Sequence, residues 1–80
     1  MKVAFDLIEQ EAARIHSLPN SAEILAQEAA NTLNDRVATA MAYLGRVPQT
    51  VKRNVREGCD PKENLVKAAQ VLCAAIEALP

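Results

Sequence analysis

Eighty residues with a formal net charge of −1 and no tryptophan leave room for a single domain, 1–80, and for a modest core. Two cysteines are too few for a disulfide framework, and no apolar run reaches the ~20 residues of a membrane span. Lys2 is followed by Asp6, Glu9 and Glu11, which breaks a secretory-signal pattern, so a reducing cytoplasm of bacterial or phage type is the expected setting.

Alanine is abundant and no strand-like alternation persists, so the expectation is an all-α fold. A compact bundle of four to five short helices is predicted, at about 2–18, 21–33, 35–44, 48–57 and 61–79. In the first helix Met1, Phe5, Ile8, Ala12 and Ile15 form an apolar stripe, and Pro19 stops the helix. Asn20 is the predicted N-cap of the second, with Glu23 completing a capping box. Ala22, Ala26, Ala29, Ala30 and Leu33 would be its inner face.

Asn31, Thr32, Asn34 and Asp35 favour caps and turns over helix interiors. Residues 21–44 therefore read either as one helix or as two with a break near Asn34. In the second case Val37, Met41 and Leu44 face inward. Gly45 suits the residue just past the helix end, and Pro48 suits the first turn of the next helix. In that helix Val47, Val51 and Val55 share one side, and Gln49, Lys52, Arg53 and Arg56 face outward. Asp60-Pro61-Lys62-Glu63 is the strongest local signal, with Asp60 as cap, Pro61 in the first turn and Glu63 bonding back to the cap. The last helix carries Leu65, Ala69, Leu72, Ile76 and Leu79 as its main stripe, widened by neighbours including Cys73, which reads as a small buried hydrophobe. A helix this apolar is expected to serve both as the centre of the bundle and as a homodimer interface, through Leu65, Leu72, Ile76 and Leu79.

Charge is segregated along the chain. Residues 1–35 sum to −4, residues 57–80 to −2, and residues 36–56 hold Arg36, Arg46, Lys52, Arg53 and Arg56 with no acid, a sum of +5. Such asymmetry points to a polyanion or an acidic partner. Leu44-Gly45, then Thr50-Val51-Lys52-Arg53 and Val55, resembles the turn and recognition helix of helix-turn-helix DNA-binding regulators of the lactose-repressor and quorum-sensing types. The resemblance covers residues 35–57 and departs from the family pattern at Met41, Arg46 and Val47. It implies a transcription regulator that binds double-stranded DNA as a dimer. Gln49, Thr50 and Arg53 would meet base edges, and Arg46, Lys52 and Arg56 would meet phosphates.

The alternative is a helical protein-interaction module, an adaptor, antagonist or accessory protein that does not bind nucleic acid. The acidic total and the surplus apolar surface of the last helix favour it. Catalysis is not expected, because no nucleophile, base and stabiliser occur together. His16 sits alone in the last turn of the first helix. Glu9, Glu11, Glu23 and Glu28 lack the Glu-x-x-His pairs of a bundle metal site. No metal and no cofactor are predicted.

Overall fold

A computed structural model describes residues 1–48 and 60–80. The described residues form an all-α bundle of four helices with no strand: α1 Lys2–His16, α2 Ser21–Ala30, α3 Leu33–Leu44 and α4 Pro61–Ala78. The helix expected at 48–57 lies outside the described residues apart from Pro48.

Each boundary has a local cause. At the end of α1 the Ser17 hydroxyl donates to the Arg14 carbonyl at 2.9 Å, and Leu18 N–H to the Ile15 carbonyl at 3.3 Å. Pro19 then separates α1 from α2. Asn20 stands at the N-cap of α2, but with ψ at 25° its side chain makes no capping bond. The capping box expected at Asn20 and Glu23 is therefore not formed.

Residues 21–44 are two helices, and the break falls two residues before the expected one. Thr32, not Asn34, is the cap of α3. Its backbone is extended, its hydroxyl accepts from Asp35 N–H at 3.2 Å, and Thr32 N–H donates to the Asp35 carboxylate at 2.9 Å. This reciprocal pair satisfies two otherwise orphaned donors. The bonds from Thr32 hold the Asp35 carboxyl below its ordinary value. Arg36 then reaches back across the break and donates to the Glu28 carbonyl at 2.8 Å, where Asn31 N–H also donates. A cation at the carbonyl end of α2 opposes the helix dipole favourably. At α4, Asp60 accepts from Lys62 N–H at 3.1 Å and Pro61 occupies the first turn, as expected. Glu63 does not return to the cap; it pairs with Lys67 one turn on, at 3.1 Å.

The last helix, α4, is the centre of the bundle, packed against both α1 and α3, while α2 packs on α1. Tyr43, in the last turn of α3, lies 5.9 Å from Lys67 near the start of α4. Arg36 and Thr39, earlier in α3, line the same cleft as Val71 and Ala74, later in α4. The two helices therefore run antiparallel. The fully buried positions of their seam are small. Ala40, Ala68 and Ala75 are the buried apolar side chains among the described residues, and Asn64 is buried beside them with its amide donating to the Asp60 carbonyl at 2.9 Å.

Several inward faces differ from the expectation. On α3 the inner positions are Arg36, Ala40 and Tyr43, while Val37, Met41 and Leu44 are exposed. On α2 they are Ser21, Ile24 and Glu28, while Ala22, Ala26, Ala29 and Ala30 are exposed. The α1 stripe is half-buried at Ile8, Ala12 and Ile15 but exposed at Met1 and Phe5. Cys73 is exposed. For α3 and the leucines of α4 the reason is that the two helices approach through Ala40, Ala68 and Ala75. A close helix–helix approach needs short side chains at the contact, and that turns the larger ones outward.

Candidate functional site

Two surfaces remain from the sequence argument, the basic corner and the apolar face of α4. Of the corner residues, Gln49, Thr50, Lys52, Arg53 and Arg56 lie outside the described residues, and Arg46 alone lies within them. Arg46 is exposed, with its guanidinium 5.3 Å from the centre of the Tyr43 ring. Lys67 approaches the same ring, so Tyr43 gathers two cations. Arg36, counted in the basic segment, is engaged with the end of α2.

Gly45 is the C-cap of α3, not the residue beyond it, and its φ of −64° is right-handed. Its N–H donates to the Met41 carbonyl at 2.8 Å, and Arg46 and Val47 continue the turn onto the Tyr43 and Leu44 carbonyls, both at 3.1 Å. A steep corner that relied on a left-handed glycine is thus not built at Gly45.

The apolar face is larger than the sequence suggested. On α4, Leu65, Leu72, Ile76 and Leu79 are 49, 42, 69 and 50 % exposed. On α3, Leu33, Val37, Met41 and Leu44 are each at least 40 % exposed. At 100° per residue, each set is centred roughly 55–60° round its helix from the buried alanines, in the same rotational sense. For antiparallel helices that is one side of the pair, so the eight side chains form one face. At the N-terminal end of α4 this face adjoins a groove of about 830 Å³, where Met1, Val3, Leu7 and Ile8 oppose Leu65, Val66 and Ala69. Sequence reasoning found the α4 half and missed the α3 half. The 4-3 spacing of Val37, Met41 and Leu44 was visible, but spacing does not distinguish an inner stripe from an outer one.

A cleft of about 340 Å³ with mixed walls opens on the other side of the α3–α4 pair, where Glu11, Glu28, Arg36 and Lys67 stand with Ile15, Ile24 and Val71. Its charges are engaged within the protein. Glu11 accepts two bonds from Arg14, at 2.7 and 3.0 Å, which hold its carboxyl below the ordinary value despite partial burial. Lys67 pairs with Glu63, Arg36 with the Glu28 carbonyl, and the Glu28 carboxylate faces His16 at 3.8 Å. Among the described residues no three His, Cys, Asp or Glu side chains are placed to hold a metal ion. None of the described helices is long and apolar enough to cross a membrane.

No protein-family model, curated protein or solved structure matches this chain.

Proposed function

We propose that this chain is a helical protein-interaction module whose working surface is the apolar face shared by α3 and α4. One observation carries the reading: eight large apolar side chains from two adjacent helices lie exposed on one side. Scattered exposed hydrophobes need no explanation, but a contiguous patch beyond a few hundred Å² marks a surface that another molecule covers. A reducing cytoplasm suits such a module, since Cys73 is exposed and would stay a thiol there. The reading is tested with an apolar-surface dye at high dilution, where a covering protein dissociates. Wild-type chain should enhance the dye's fluorescence, and Leu72→Ser combined with Ile76→Ser should abolish most of that enhancement. Equal signals from both proteins would overturn the reading.

A second reading rests on charge. Four bases between Arg46 and Arg56 with no acid among them suit a helix-turn-helix regulator on double-stranded DNA. Its affinity for duplex DNA would fall steeply with salt, by roughly one log unit per log unit of salt for each phosphate neutralised. Arg53→Ala with Arg56→Ala would flatten that slope. A chain that does not bind duplex DNA at low salt would end this reading and leave the first intact.

A further inference from the structure

We infer that the molecule covering the α3–α4 face is a second copy of this chain, in a two-fold dimer whose α3–α4 pairs pack face to face as four helices. The inference rests on the interaction reading above and names its partner.

Three observations favour a second copy. The first is what the single chain buries. Among the described residues the fully buried apolar side chains are Ala40, Ala68 and Ala75, whereas eight of the large ones of α3 and α4 lie exposed. Burial of apolar area is the main favourable term in folding, and alanines supply little of it. A face holding so many large apolar side chains gains most when a partner covers it. A second copy is always supplied in matching amount, and a partner that binds only the folded chain stabilises it by mass action.

The second observation is size. At the exposures given above, the eight side chains offer on the order of 700–800 Å², close to what one partner contributes to a standard interface of about 1,600 Å². The third is chemistry and spacing. The eight side chains are apolar, the kind that dimers of identical chains bury. Leu65, Ala69, Leu72, Ile76 and Leu79 recur at four and three residues, the seam pattern of helices that interlock side by side. Among the described residues Leu72, Ile76 and Leu79 of that seam stay exposed, while α3 packs on the neighbouring stripe of Asn64, Ala68 and Ala75.

The test is sedimentation equilibrium of the full chain from nanomolar to high micromolar concentration, with Ile76→Ser and Glu77→Gln alongside. Ile76 is the most exposed of the α4 set, so its loss costs the single chain little. A two-fold interface contains it twice. The expected result is a mass of two chains for wild type and Glu77→Gln, and a dissociation constant raised at least tenfold by Ile76→Ser. Should Ile76→Ser not fold, the wild-type mass still decides. A one-chain mass at every concentration overturns the second copy, as does a two-chain mass indifferent to Ile76→Ser when that variant folds. In the first of these outcomes, dye binding that depends on Leu72 and Ile76 would leave the interaction face standing with a different partner; without it, both readings fall.

Discussion

Two stripes run side by side along α4 and are built from opposite materials. The stripe that meets α3 holds Asn64, Ala68 and Ala75 and is buried; the stripe beside it holds Leu65, Leu72, Ile76 and Leu79 and is exposed. In a self-sufficient domain the assignment would be reversed, with leucines inside. The difference separates two jobs. Short side chains let α3 and α4 lie close and fix their geometry, and large side chains on the open side hold most of the apolar area still to be buried. The intrachain seam sets the shape of the face, and the face provides the driving force for association.

The comparison can be broken most sharply at the seam. Ala68→Leu adds volume where the helices touch and should cost about 1–3 kcal/mol or more. Each kcal/mol corresponds to roughly 4–8 °C in Tm for a domain of this size. The loss should persist at every protein concentration, unlike that of Ile76→Ser, which acts through association. An unchanged Tm for Ala68→Leu would mean that the seam is not tightly packed.

The next effect is at the start of α3, whose register sets which residues reach the seam. Thr32→Ala removes one half of the capping box and should cost about 1 kcal/mol in denaturant unfolding, whereas Asn34→Ala should change little. A reversal of those two results would move the cap to where the sequence alone suggested it.

A smaller effect is expected at Gly45. Its backbone is already right-handed, and a Cβ there would meet the Met41 and Ala42 carbonyl oxygens at 3.3 and 3.5 Å. Gly45→Ala should therefore stay within about 1 kcal/mol of wild type, the gain through the unfolded chain set against the tight Met41 contact. A clear loss of stability would restore the left-handed turn that the DNA-binding corner asks for. The gentlest change is with pH. The carboxyls of Glu11 and Asp35 are held below their ordinary values by Arg14 and by Thr32. A depressed folded-state value contributes stability that is present above about pH 4 and lost as pH falls further. Asp35→Asn should weaken that acid dependence, and an unchanged acid limb would show that the box does not hold the carboxylate.

Helix positions were legible because their causes are local. Pro19, the Asp60-Pro61 cap and the cluster of turn-formers at 31–35 each act within a few residues. The exact cap was harder to read, since Thr32 and Asn34 can both accept from a helix N-terminus and only Thr32 has Asp35 three residues on. Facing was the least legible. α4 carries an alanine stripe beside a leucine-rich one, and α3 a single inner alanine, Ala40, beside Val37, Met41 and Leu44; the hydrophobic effect alone favours the larger residues inside. Close helix approach selected the alanines, and that choice depends on both helices together. Arg36 shows the same limit: in the sequence it belongs to a basic segment, and in the fold it caps α2.

The most direct test of the account is the thermal midpoint of the wild-type chain as a function of its own concentration. If folding is completed by a second copy at the α3–α4 face, the midpoint rises by several degrees over a hundredfold increase in protein. A midpoint that stays constant over that range would contradict it.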